Sequence, residues 1–444
     1  MPDTDARRLA FRVLVDVEQR GAFSDAAVGR ALDGATRMRD DDRRLVVQLV
    51  YGVLAWRLRL DHTIAAYARR TPADPRVQIA LRLGVFQLAF LDRIPAYAAG
   101  HTTVSIVRSF APHAAGFVNA IIRRVTREGL APLPEAEPER TAVRLSHPQW
   151  LVSRWERDLG KAEAEELMEA NNRSMPTVLR ALTSREEAVI RLQALGLEAT
   201  PAAHAPDAIR CSLPRTVPGL ALPQAEASQL VTLMVAARAG ERILDTCAAP
   251  GGKTAYLAAL VGPEGHVTAV DQAANSARRI RATCEAAGVR NVEIITSPIE
   301  ALSNADASGL TGRPRDAGAF DAVLVDAPCS GLGTLREHPE IRWRLTSDDI
   351  ADLAARQSFI LDHASRMVCN GGRLVYATCT ISHAENEGVV DDFLAHHPDF
   401  REDPSPVHPA LHPFLDKRAR LHTWPHRHDM GGFFAARLVR TKRL

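Results

Sequence analysis

Lysine is scarce in this chain: of its 55 basic residues only Lys161, Lys253, Lys417 and Lys442 are lysines. Arginine clusters are therefore partly a compositional habit and say little about nucleic acid, whereas a lysine inside a motif gains weight. No sign of charge dominates either. The formal net charge of +2 is too small to mark an electrostatic footprint by itself. No apolar stretch approaches the ~18 residues that a membrane-spanning helix needs. The first residues, Met1-Pro2-Asp3-Thr4-Asp5-Ala6-Arg7-Arg8, lack the apolar core of a secretory signal, so a cytoplasmic protein is expected. Among Cys211, Cys247, Cys284, Cys329, Cys369 and Cys379 no pair has C-x-x-C spacing. That excludes the usual zinc and disulfide frameworks and leaves reduced thiols. The 444 residues leave room for two or three domains.

What is present concentrates at three strand ends. Asp326-Ala327-Pro328-Cys329-Ser330 and Thr378-Cys379-Thr380 each follow an apolar, β-branched run, at 322–325 and 374–377. Each reads as the C-terminal lip of a buried parallel strand, where open α/β sheets bind ligands. A third, Ile243-Leu244-Asp245, runs into Thr246-Cys247-Ala248-Ala249-Pro250-Gly251-Gly252-Lys253-Thr254. This loop is not a Walker A phosphate loop, which requires a glycine where Cys247 stands, and it lacks G-x-G-x-x-G. It is a strand–Gly loop–helix unit followed by a strand at 266–270 that ends in Asp271. An acid about 20 positions after the glycines is placed to hold a ribose. A nucleoside without a pyrophosphate fits, and S-adenosylmethionine is one.

With these motifs together, residues from about 235 to 440 resemble the RNA (cytosine-C5) methyltransferases, in particular their ribosomal RNA small-subunit branch. The family's cofactor loop is matched by Asp245–Thr254, its Asp-Ala-Pro-Cys-Ser by 326–330, and its Arg-x-His-Pro-x-Ile-x-Trp by Arg336, His338, Pro339, Ile341 and Trp343. Its Tyr-x-Thr-Cys-Ser is matched by Tyr376, Thr378, Cys379 and Thr380, followed by Glu385-Asn386-Glu387, and its last strand by Gly431-Gly432-Phe433-Phe434-Ala435. Three positions depart from the pattern. Thr380 replaces serine, Ala225 replaces an aspartate in Gln224-Ala225-Glu226-Ala227-Ser228, and Ser297-Pro298 stands where the family presents an acid to the adenine.

The resemblance implies roles. Cytosine C5 is a poor nucleophile until a group adds at C6, and thiolate suits that addition. Cys379 is the implied nucleophile, Asp326 the hydrogen-bond partner of N3 and the exocyclic amine, and Cys329 the residue that aids release. For S-adenosylmethionine the implied contacts are Asp245, Cys247, Ala248, Ala249, Pro250, Gly251, Gly252, Lys253, Asp271 and Asp326. The target base must leave its stack to reach such a pocket. His338 and Trp343 either orient that base or pack the loop over the sheet. The implied partner is 16S ribosomal RNA, unassembled or in early assembly, acted on by a monomer. Transfer RNA as substrate, or an RNA-binding scaffold with weakened activity, are the competing readings.

The N-terminal third reads as helices at 6–19, 42–56, 78–91 and 113–127, with apolar residues at helical spacing and no strand alternation. Its segments 43–54, 81–88 and 117–124 resemble the helical RNA-binding domain of the antitermination factor NusB. Three prolines make 131–139 a linker. A helix at 148–171, a strand at 177–183 and a helix at 185–195 follow. The expected architecture is multidomain: an all-α NusB-like domain (1–130), a small α+β RNA-positioning subdomain (140–225) and an α/β Rossmann-like methyltransferase domain (226–444). In the last, strands are expected at 242–245, 266–271, 292–296, 321–326, 372–377 and 432–439, alternating with helices at 253–261, 274–287 and 348–368.

Overall fold

The computed structural model describes residues 5–68, 72–212, 216–302, 320–403 and 405–441. They fall into two compact units, Met1–Ser174 with Leu335–Leu345, and Met175–Thr334 with Thr346–Leu444.

The first unit is helical: Ala6–Arg20, Ser24–Gly34, Asp40–Ala55, Arg57–Tyr67, Pro75–Phe90, Ala96–Arg108 and Ala115–Glu128, then Glu139–Leu145, Gln149–Leu159 and Lys161–Asn171. Two starts are signalled locally, since Asp5 and Asp74 accept from the backbone N–H groups of Arg7 and Arg76. Leu9, Leu14, Leu49, Leu54, Leu60, Leu81 and Ile122 close around one core. The expected single helix at 148–171 is two, broken at Gly160 in the left-handed region (φ 82°). Helices Ser24–Gly34, Arg57–Tyr67 and Ala96–Arg108 were not legible in the sequence.

Residues 335–345 pack into this unit. The buried Arg342 guanidinium donates to Ser146 O, Asn171 O, Leu335 O and Asn172 Oδ1. Trp343 Nε1 donates to Leu54 O at 2.6 Å. Arg344 donates to Val17 O and Ala22 O, and Glu340 accepts from Ser24 N.

The second unit holds two sheets. The smaller is antiparallel, in the order β2-β3-β1-β4: β1 (Val178–Ala181), β2 (Ala199–Pro201), β3 (Ala208–Cys211) and β4 (Ala221–Pro223). Helix Arg185–Ala194 packs on it through Ala188, Val189 and Leu192. The larger contains β5 (Arg242–Thr246), β6 (His266–Asp271), β7 (Val292–Thr296), β8 (Phe320–Asp326), β9 (Val368–Thr378), β10 (Phe400–Glu402), β11 (Leu421–His422) and β12 (Phe434–Arg440). Its order is β10-β12-β9-β8-β5-β6-β7, with β11 paired to β12. Strands β5 to β9 are mutually parallel, and β12 runs antiparallel to β9. Helices Glu226–Met234 and Gly252–Val261 contribute to the core on one face. Helices Ser347–Ser365 and Glu387–His396 do so on the other. The chain advances from β5 to β7 in one direction and resumes with β8 and β9 in the other, so the switch point lies between β5 and β8. That is where a doubly wound sheet binds its ligand.

Candidate active site

Each implied residue sits at a carboxyl end of the parallel strands: Asp245 in β5, Asp271 closing β6, Asp326 closing β8 and Cys379 just beyond β9. The loop after β5 is tightly shaped. Cys247 and Gly251 both have positive φ (58° and 103°), and the Ala249-Pro250 peptide is cis. A Cβ on Gly251 would stand 2.9 Å from Ile280 Cα, so only glycine lets the loop lie this close to the next helix. Asp271 anchors the loop: its Oδ2 accepts from Ala249 N at 3.0 Å and its Oδ1 from Ala273 N at 2.9 Å. Carboxylate oxygens have further lone pairs, so Asp271 can still accept from two ribose hydroxyls.

Asp245 is buried. Its Oδ2 accepts from Thr254 Oγ1 at 2.6 Å, while Oδ1 is buried with no partner among the described residues. Burial above all, helped by Asp326, raises its pKa to about 7. Burial likewise pushes the Cys247 thiol up to about 12, so Cys247 is an inert lining group. An orphaned polar atom beneath a glycine loop, with an acid at the neighbouring strand end, fits a nucleoside carrying an amino acid. S-adenosylmethionine is such a group. Ser297, at the position lacking the acid, donates its N–H to Asp271 O and its hydroxyl to Pro298 O.

Lys253 reaches across to Asp326, with Nζ to Oδ2 at 2.7 Å, and lies 5.7 Å from the Phe433 ring centroid. Burial works against its charge, but Asp326 outweighs burial and raises the lysine's pKa, with a further contribution from Cys379. The two thiols meet beside this pair. Cys329 Sγ is 3.2 Å from Cys379 Sγ and accepts from Cys379 N at 3.3 Å. The hydrogen bond to Cys379, then burial, then the charges of Cys379 and Glu385 raise the Cys329 pKa well above the ordinary thiol value. Cys329 therefore keeps its proton.

The loops carrying the thiols are closed against each other by contacts whose purpose the sequence left unassigned. Gly333 N donates to Cys379 O, and Gly432 N donates to Gly333 O at 2.7 Å. Glu385, fully buried, accepts from Ser330 N at 2.7 Å, Ser330 Oγ at 2.6 Å, Thr380 Oγ1 at 3.2 Å and Gln357 Nε2 at 3.1 Å. Asn386 accepts from Thr378 Oγ1 and donates to Thr380 O. The polar run 385–387, five positions beyond Thr380, is the available signal. His338 and Trp343 belong to the helical unit's packing. The Trp343 N–H is taken by Leu54, with Arg57 5.6 Å from its ring, and His338 meets Phe23 edge-on.

Comparison with known proteins identifies the family. The family model for 16S rRNA methyltransferase RsmB/F matches residues 232–439, that of the NusB family 4–127, and that of the RsmF/B-like ferredoxin-like domain 147–218. The chain is 32% identical to the probable ribosomal RNA small subunit methyltransferase B of Bacillus subtilis, over 98% of each chain. It is 33% identical to the Synechocystis protein of that name, over 98% of this chain and 99% of that one. Among solved structures, PH0851 superposes with a TM-score of 0.83 at 26% identity, over 100% of this chain and 99% of its own. Glycine loop, strand-end acids, paired thiols and full-length similarity converge: the chain belongs to the S-adenosylmethionine-dependent 16S rRNA methyltransferases of the RsmB/F family.

Proposed function

We propose that this protein methylates C5 of a cytosine in 16S ribosomal RNA through a covalent adduct between Cys379 and C6 of the base. The observation that carries this reading is the pair of thiols 3.2 Å apart beside the Lys253–Asp326 pair. When bound, S-adenosylmethionine supplies a methyl group on an electrophilic sulfonium. The chain's residues do the rest. Cys379 attacks C6, the C5–C6 double bond opens, and its electrons move toward N3. Asp326, paired with the Lys253 ammonium, is the group to accept from the exocyclic amine and to pass a proton to N3, so that the electron pair arriving there ends on an N–H. C5, now nucleophilic, takes the methyl. Loss of the C5 proton to water and departure of Cys379 as a thiolate restore the double bond. The protonated Cys329 offers its S–H to the Cys379 sulfur, supporting the thiolate before attack and on departure.

Asp245, the loop from Cys247 to Lys253, and Asp271 hold the cofactor in this reading. The helical unit contributes RNA binding. The protein acts in the cytoplasm as a monomer, on RNA before or early in subunit assembly, when a base is most easily flipped from its stack.

The two thiols fail in opposite ways, which supplies the test. Cys379→Ala abolishes methylation and leaves no adduct, while RNA and cofactor still bind. Cys329→Ala permits attack and methyl transfer but impairs release. It accumulates a protein–RNA conjugate that survives denaturing gels and needs S-adenosylmethionine to form. Near-normal turnover in both variants would sink the cytosine-C5 reading. Bisulfite sequencing of total RNA with and without the protein identifies the target and separates ribosomal from transfer RNA.

A further inference from the structure

We propose that Glu385 is a positioning residue that gives the two thiols their separate roles. This inference rests on the reading of Cys379 as nucleophile and Cys329 as its partner. Glu385 touches neither sulfur through a hydrogen bond. It grips the residue that follows each of them: Ser330, after Cys329, through both backbone N–H and hydroxyl, and Thr380, after Cys379, through its hydroxyl. The two hydroxyls also bond each other at 2.8 Å. One buried carboxylate therefore sets the separation of two loops that arrive from different strands, and with it the 3.2 Å between sulfurs.

The clasp is itself held from behind. Gln357, in helix Ser347–Ser365, donates to Glu385 Oε1 and to Pro328 O, and Tyr376 OH donates to Glu385 O at 2.6 Å. A neutral hydrogen-bonding side chain could hold the loops together. A carboxylate does more, because it accepts twice from Ser330, next to Cys329, and its charge opposes ionisation of that thiol.

The surroundings of Cys329 are asymmetric. Glu385 and the Cys379 sulfur both oppose its ionisation. Tyr376, whose own pKa burial raises well above the usual phenol value, stays neutral beside them. Asp326 lies three residues upstream, at the end of β8, and its charge is met by Lys253. The Lys253 ammonium interacts with Cys379. Glu385 thus bonds both loops while its charge acts on Cys329, and the ammonium acts on Cys379. Cys329 remains the proton holder, and Cys379 the thiol beside the ammonium.

The test is peptide-resolved alkylation of the full-length protein by iodoacetamide across pH 6–10, with no RNA required. In E385Q, which keeps the shape and loses the charge, Cys329 reacts about tenfold faster at a given pH, the effect of one unit of acidity. The kcat of E385Q falls while KM for both substrates stays. E385D, which keeps the charge on a shorter arm, retains slow Cys329 alkylation while its kcat falls. Unchanged Cys329 alkylation in a folded E385Q overturns the proposal. If E385Q does not fold, E385D decides in its place: Cys329 alkylation in folded E385D as fast as in the urea-unfolded protein overturns the proposal. Because alkylation reads the thiols alone, its outcome is independent of whether cytosine C5 is the methyl acceptor, which the adduct-trapping variants decide.

Discussion

Asp245 carries an ionisation that the fold has altered. Burial raises its pKa to about 7 from an ordinary carboxyl value. A carboxyl raised in the folded state binds its proton more tightly there than in the unfolded chain. Its contribution is therefore fully present below about pH 4 and lost as pH rises through about 7. The ligand-free protein should lose stability between pH 5 and 7.5, on the order of 2–3 kcal/mol from this group, and D245N should flatten that slope. Thermal unfolding of both across this range measures it; parallel curves would remove Asp245 as the source. Asp271, by contrast, serves the loop and, in our reading, the ribose. Asp271→Ala should weaken S-adenosylmethionine binding by about 1.5–3 kcal/mol, the range for a lost charged hydrogen bond. Unchanged affinity in calorimetry would take it out of the site. At this scale the sequence was informative about which residues gather and poor about how they are held. Cys329, Cys379, Asp326 and Lys253 stand in motifs at strand ends. The Glu385 clasp is made by contacts between loops 55 residues apart, and no local pattern encodes such a distance.

The elements of the larger sheet were the most legible, because buried parallel strands are written as short apolar runs bounded by turns. Strands β6 and β7 lie where their patterns put them, at His266–Asp271 and Val292–Thr296. Strand β9 begins earlier than its apolar core, at Val368, because Gly371 and a register shift opposite Phe320 carry the pairing back through a polar stretch. Helix Ser347–Ser365 starts at a capping box made by Thr346 and Asp349. Helix Arg57–Tyr67 eluded the sequence reading because it follows the preceding helix with only Trp56 between them. The loop after Cys329 makes its own prediction. A Cβ on Gly333 would stand 1.8 Å from Gly432 O, and Gly333 N holds Cys379 O. Gly333→Ala should cost about 2–3 kcal/mol by overpacking and should lower kcat by moving Cys379. Urea unfolding and single-turnover methylation measure both effects, and wild-type values for each would show that the contact is slack.

At the scale of the whole molecule, the path of the chain departs from a simple succession of domains. Residues 226–444 read in sequence as a self-contained enzyme, yet 335–345 pack with the helical unit. Nothing in Arg336–Trp343 marks this, since a buried arginine and a tryptophan serve a loop or an interface equally well. Arg342 is fully buried, and burial lowers its pKa to about 9. Its guanidinium reaches four acceptors from Ser146, Asn171, Asn172 and Leu335. Arg342→Ala strands those acceptors and should destabilise the protein by about 3 kcal/mol or more, read as a drop in the thermal midpoint. The isolated segment 226–444 lacks the partners of this stretch and should be cut within 335–345 by trypsin far faster than the full chain. Equal protection in the two would mean that the stretch finds an equivalent place without the helical unit.

The same crossing sets an order in time. A ribosome adding ~5–20 residues per second releases the helical unit's own chain up to Ser174 long before it makes Leu335–Leu345. The intervening synthesis takes roughly 10–30 seconds at that rate. Throughout that interval Leu54 O, Asn172 Oδ1 and Ser24 N have no Trp343, Arg342 or Glu340 to meet. The nascent N-terminal unit therefore persists through that interval without these contacts. It becomes whole only when the segment just downstream of Cys329 emerges, so the first unit to be synthesised is not finished before the second is well under way.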